Sequence, residues 1–213
     1  MKLVQSLLLK VPFFNYLLHL NYLINKGYLY KLGWTKSLKS FSVINNKKEP
    51  IPWFTYSCIH FLSTRKLSNL NVFEFGSGNS TLWFQKRVNK IYSLEHNKDW
   101  FNKIKNQFNS NVTFIYKEID NGYSQEINNH SLQFDLIIID GRNRVECCKN
   151  TLNKISPNGV IIWDNSDRIK YNEGYNLLTE NGYKRLDFYG LAPSVCDSSL
   201  TSIFYKKDNC LGI

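Results

Sequence analysis

Four carboxylates, Glu74, Glu95, Asp140 and Asp164, stand at or near the ends of four separate β-rich apolar runs. Behind them in the chain come Gly76-Ser77-Gly78, His96, Gly141 and Asn165 respectively. Carboxylates at strand ends can accept hydrogen bonds from ligand hydroxyl and ammonium groups, and glycines let the backbone approach a ligand closely. The stretch VFEFGSGNSTLWF, Val72 to Phe84, turns from strand to helix at Ser80-Thr81, where the first helical N–H groups lack intrahelical partners. That geometry binds nucleotides and nucleosides. Glu95 lies about twenty residues beyond Gly76, at the end of the next strand, where an acid chelates ribose hydroxyls. The pattern departs from G-x-G-x-x-G, because Thr81 takes the third glycine position and Glu74, two residues before the turn, would repel a pyrophosphate. Glu74 could instead accept bonds from a cationic amino-acid group. No Gly-Lys-Ser/Thr motif is present, so a Walker loop is excluded.

These positions need a scaffold that brings strand ends together. From Ile51 onward, β-rich runs alternate with amphipathic stretches: NVFEFG, a helix from Ser80 to about Val88, KIYSLEH, a helix from Asn97 to about Phe108, and VTFIYKEI. The alternation continues through FDLIIIDG, a helix from about Asn143 to Lys154, GVIIWDN, a helix from about Arg168 to Glu180, YKRLDFYG and LTSIFYKK. Alternation of this kind predicts an α/β fold, a doubly wound Rossmann-like sheet, since parallel neighbours need crossover helices. Unbroken apolar runs at Leu136–Ile139 and Val160–Ile162 mark central strands covered on both faces. The last two strands lack an intervening helix and should pair antiparallel, leaving GLAPSVCDSS as a loop able to reach the site.

Pro50 and Pro52 suggest a boundary, with a basic amphipathic helical extension over 1–50 and the binding domain over 51–213. The net charge is +10, and Met1 to Lys48 holds eight Lys and no acid, interleaved with Leu, Phe and Tyr. A nucleic-acid enzyme more often spreads basic residues around its site; this pattern suits a helix packed on the core or lying at a membrane surface. Lys10, Pro12, Asn15, His19 and Asn21 interrupt the apolar stretch, arguing against a spanning or signal segment. Five cysteines without a CxxC pair argue for a reducing, cytoplasmic setting. Trp53, Trp83, Trp100 and Trp163 read as core, with Trp34 and Trp53 as an alternative carbohydrate platform.

EFGSGNSTLWF, IYSLEHNKDW, FDLIIIDGRNR and PNGVIIWDN together resemble class I S-adenosylmethionine-dependent methyltransferases over about Ile51 to Lys207. The resemblance implies S-adenosylmethionine as cofactor, with Glu74 and the Gly76, Ser77, Gly78 turn at the methionine end, beside Ser80 and Thr81. It places Glu95 on the ribose with His96 bordering the adenosine, Asp120 by the adenine, and Asp140 closing the site. Asp140, Asp164 and Asn165 further resemble the ligands of metal-dependent O-methyltransferases, which implies Mg²⁺ and a catalytic role for these three. The lysine base usual in that group is Asn143 here. Asp164, His96, or Arg142 and Arg144 acting electrostatically are the substitutes. Arg142 and Arg144 could also bind an anionic group of the acceptor.

The expected reaction is O-methylation of a small-molecule or saccharide acceptor, a glycan modification, with membrane contact through the extension and nucleic acid disfavoured as a partner. Two other classes fit less well. An inactive nucleoside-binding scaffold would have no reason to keep Glu74, Glu95 and Asp140 together, and an NAD-dependent oxidoreductase would need the missing third glycine.

Overall fold

The computed structural model describes residues 12–213. Three helices lead in: α1 (Pro12–Asn25), α2 (Tyr28–Leu32) and α3 (Trp34–Ser40). The core begins with α4 (Tyr56–Ser63), β1 (Asn71–Phe75), α5 (Asn79–Phe84), β2 (Lys90–Glu95), α6 (Lys98–Ile104) and β3 (Val112–Tyr116). It continues through β4 (Phe134–Ile139), α7 (Arg144–Thr151), β5 (Ile155–Asp164), α8 (Asn172–Glu180), β6 (Lys184–Leu191) and β7 (Ser198–Tyr205).

The seven strands form one sheet in the order β3-β2-β1-β4-β5-β7-β6. The first five are parallel; β7 inserts between β5 and β6 and pairs antiparallel with both. Side chains alternate between the faces, and both faces are buried. Val72, Leu136, Ile138, Val160, Ile162 and Ile203 meet α4 and α5 residues such as Leu62 and Phe84 on one side. Phe73, Phe75, Ile137, Ile139, Ile161, Trp163 and Phe204 form the other core with Cys147, Cys148 and Leu178. Sheet and helices thus match the doubly wound expectation, including the antiparallel last strands.

Helix ends are shorter than periodicity suggested. α5 ends at Phe84 rather than Val88, and α6 tightens after Ile104 into a 3₁₀ turn over Lys105–Gln107. α8 is preceded by a separate 3₁₀ turn, Ile169–Tyr171. The segment before Ile51 is not set apart from the core. Leu32, Trp34 and Val43 pack on the first core cluster, Trp34 Nε1 donates to the Val195 carbonyl at 2.6 Å, and Asn79 Nδ2 donates to the Val43 carbonyl at 2.7 Å. α1, by contrast, contributes no buried residue, and no helix among the described residues is long and apolar enough to cross a membrane.

Candidate functional site

β1 pairs with β2 on one side and β4 on the other, so strand order reverses beside β1, where open α/β sheets bind ligands. The turn after β1 touches the turn after β4. Gly141 N donates to the Phe75 carbonyl at 2.6 Å, and Gly76, at φ +98°, leaves no space for a side chain: a Cβ there would stand 2.8 Å from Gly141 N. Gly141 is constrained too, since a Cβ on it would collide with Tyr123 Oη. Gly78 differs: a Cβ there would meet nothing nearer than Trp100, 4.0 Å away, so this position opens on a cavity.

That cavity, about 610 Å³, is lined by Gly76, Ser77, Gly78, Asn79 and Ser80, by Glu95 and His96, and by Asp140, Gly141 and Arg142. Glu95 is 4% exposed; its Oε1 accepts from His96 N (2.9 Å) and Asn97 N (2.7 Å), while Oε2 has a single long bond from Ser77 N (3.3 Å). Oε2 therefore keeps accepting capacity toward the cavity, as a ribose diol requires. Trp100 forms another wall, with its Nε1 donating to the Ser77 carbonyl at 3.0 Å. Volume, turn and acid fit a nucleoside-bearing cofactor.

Glu74 takes a different place from the one its sequence position suggested. It is fully buried beneath the turn and does not line the cavity. Its Oε2 accepts from Thr81 Oγ1 (2.5 Å) and Ser93 Oγ (2.7 Å), and Thr81 Oγ1 in turn accepts from Gly78 N (3.1 Å). Its Oε1 is buried without a partner. Burial pushes the carboxyl up to about 7, against hydrogen bonds from Ser80, Thr81 and Ser93 that favour the charge. Thr81 is likewise buried within this network rather than on the cavity wall. Asp120 is exposed in the turn after β3 and also lies off the wall, so the adenine role expected of it has no geometric support.

A second cavity, about 460 Å³, adjoins the first, and the two share Trp53, Asp140, Arg144 and Arg168. Its walls carry four carboxylates, Asp140, Asp164, Asp167 and Asp197, and the hydroxyls of Ser198 and Ser199. The loop between β6 and β7 supplies Ala192, Val195 and Asp197, in keeping with the reach expected of GLAPSVCDSS. Trp53 is 52% exposed and Trp100 37%, so neither is core, whereas Trp83 and Trp163 are buried. Trp34 is a clamp on the Val195 loop, not a platform.

The Mg²⁺ and acceptor-anion expectations both fail on Arg144. Its guanidinium, 7% exposed, lies where the oxygens converge: Nη2 donates to Asp140 Oδ1 at 3.0 Å and Asn165 Oδ1 at 3.3 Å, and to the Asp140 carbonyl. Nη1 donates to the Asp164 carbonyl and Nε to the Gly141 carbonyl at 3.0 Å. Asp164 Oδ1 accepts from Thr201 Oγ1 at 2.7 Å. An organic cation thus meets the oxygens that a divalent ion would need, so Asp140, Asp164 and Asn165 do not fit Mg²⁺. Among the described residues no group of three or more His, Cys, Asp or Glu side chains converges as a metal site. Arg144 is turned to protein oxygens and is not free to grip an anion; Arg142 is exposed at the rim of the first cavity. Burial, then the nearby Asp140 charge, raises Asp164 to about 8.

Sequence comparison reaches the same part of the chain. Residues 73–166 match a family model described as a methyltransferase domain, and no curated protein matches the chain. Solved structures similar in fold include precorrin-6y C5,15-methyltransferase of Geobacter metallireducens (TM-score 0.55, 15% identity, 69% of this chain and 86% of that one). Precorrin 8w decarboxylase of Methanobacterium thermoautotrophicum aligns with TM-score 0.54 at 17% identity, over 78% of this chain and 97% of that one. A candidate methyltransferase of Streptococcus mutans solved in complex with SAH gives TM-score 0.50 at 15% identity, over 68% and 94%. The domain match spans β1 through the turn after β5, the strand-end turns that line both cavities, and the similar solved structures share the fold.

Proposed function

We propose that the protein transfers a methyl group from S-adenosylmethionine to a hydroxyl of a saccharide-like acceptor. The observation that carries this reading is the second cavity, which opens beside the cofactor cavity and offers carboxylates, serine hydroxyls and an exposed indole. Sugar hydroxyls donate to carboxylates, and the apolar C–H face of a sugar ring packs on an aromatic plane. The acidic lining argues against the anionic acceptor that Arg142 and Arg144 first suggested.

S-adenosylmethionine supplies the methyl group on a positively charged sulfonium. The chain's own contribution is placement: Glu95 holds the ribose and the Gly76–Gly78 turn the methionine end, while Trp53 and the β6–β7 loop orient the acceptor toward the wall that the two cavities share. Asp164, on the wall of the acceptor cavity, is the side chain to take the hydroxyl proton; with its carboxyl raised to about 8, its ionised form is a stronger base than an ordinary carboxylate and is populated as pH rises toward 8.

The test is calorimetric titration with S-adenosylmethionine and S-adenosylhomocysteine, followed by transfer of labelled methyl to a panel of mono- and oligosaccharides. Glu95→Gln should weaken cofactor binding by about 10- to 100-fold, as expected for losing hydrogen bonds to a charged acceptor. Asp164→Asn should leave cofactor affinity unchanged and lower turnover by about 100-fold or more. Cofactor binding with labelled methyl entering only nitrogen or carbon acceptors would overturn the hydroxyl assignment.

A further inference from the structure

Helix α1 has no side chain in the core, yet it is rich in apolar and aromatic residues: Phe13, Tyr16, Leu17, Leu20 and Tyr22 are all exposed. At 14 residues it is about 21 Å long, short of the roughly 30 Å hydrocarbon thickness of a bilayer. The lysines at 26, 31, 39, 47 and 48 are exposed around it and its neighbouring helices, and no acid occurs before Glu49. Phe41, 95% exposed, ends the segment at the rim of the cofactor cavity.

We infer that the segment from Pro12 to Lys48 docks the protein on an anionic lipid bilayer, with α1 lying in the plane of the interface. Apolar side chains enter the boundary between headgroups and acyl chains, and the lysines meet the negative surface. Charge decides against the alternative of a second copy: pairing this face with itself would set the six lysines of the segment against six with no carboxylate between them. Nucleic acid would meet the lysines but leave the rings of Phe13, Tyr16 and Tyr22 in water. Docking in this way brings the cavity rim at Phe41 beside the lipid surface. Membrane docking lies outside the catalytic reading and does not depend on it.

The full-length protein should be sedimented with vesicles of phosphatidylcholine alone and with vesicles that also contain phosphatidylglycerol. Pelleting is expected with the anionic vesicles only, and should weaken by about tenfold or more between about 0.1 M and about 1 M salt. A Phe13→Glu, Leu17→Glu, Leu20→Glu variant and a Lys26→Glu, Lys31→Glu, Lys39→Glu variant should each lose about tenfold or more in vesicle binding. Both should keep the wild-type melting temperature and cofactor affinity, because neither set is part of the core. Equal pelleting with neutral vesicles, or none with anionic ones, would overturn the inference. So would dimerisation in analytical ultracentrifugation that the α1 substitutions abolish, or retention by RNA or DNA in place of vesicles.

Discussion

Arg144 shows what a single side chain decides here. Two segments of chain, one after β4 and one at the end of β5, converge on its guanidinium, which removes the need for a divalent ion to hold their oxygens together. Arg144→Ala would leave the Asp140 carboxylate and buried carbonyls unpaired, and should lower stability by about 3–5 kcal/mol in urea denaturation. Chelation by EDTA, or added Mg²⁺, should change neither cofactor affinity nor turnover of the wild type. Glu74 makes a prediction of a different kind. Its folded-state value of about 7 lies above the ordinary 4.5, so its contribution to stability is fully present below pH 4.5 and is lost as pH rises through 7. The loss is about 3 kcal/mol across that window, and Glu74→Gln should flatten this part of a stability-versus-pH profile measured without cofactor. The strand-end acids were readable from sequence because each ends an apolar run. The work of Arg144 was not, since its partners lie 3 to 21 positions away and meet only in the fold. The position of Asp120, exposed and off the cavity wall, was not legible for a related reason: adjacency to β3 does not say which way a turn faces.

Among the elements, the two turns that meet at the switch point are the most constrained. Gly76→Ala forces a left-handed φ on a side chain and drives its Cβ against Gly141 N, while Gly141→Ala collides with Tyr123. Each should cost more than about 1 kcal/mol in thermal unfolding and weaken cofactor binding in calorimetry, with Gly78→Ala affecting binding but not unfolding. The glycine spacing announced this turn, and β4 and β5 announced themselves as unbroken apolar runs. Helix ends were less legible because past Phe84 and Ile104 the chain passes into turn and 3₁₀ hydrogen bonds, a change that local periodicity does not encode.

At the scale of the whole molecule, the residues ahead of Pro50 meet the core unequally. Leu32, Trp34 and Val43 pack on the core cluster, whereas α1 does not. Polar substitutions at Phe13, Tyr16 and Leu20 of α1 should leave the melting temperature nearly unchanged. Polar substitutions at Leu32, Trp34 and Val43 strip apolar cover from the core and should lower it markedly, read by circular dichroism. The prolines marked a change of composition, whereas long-range packing, such as that of Trp34 on the Val195 loop, is not legible from local composition. The same packing gives the two cavities unlike foundations. The turn of the first cavity is fixed by backbone against backbone at Gly76 and Gly141, while part of the second cavity's wall, Ala192, Val195 and Asp197, lies on the β6–β7 loop, which contributes nothing to the first. On the proposed function, sequence drift in that loop would re-tailor which molecule is methylated while the donor's seat is inherited unchanged, so proteins that share the turn need not share a substrate.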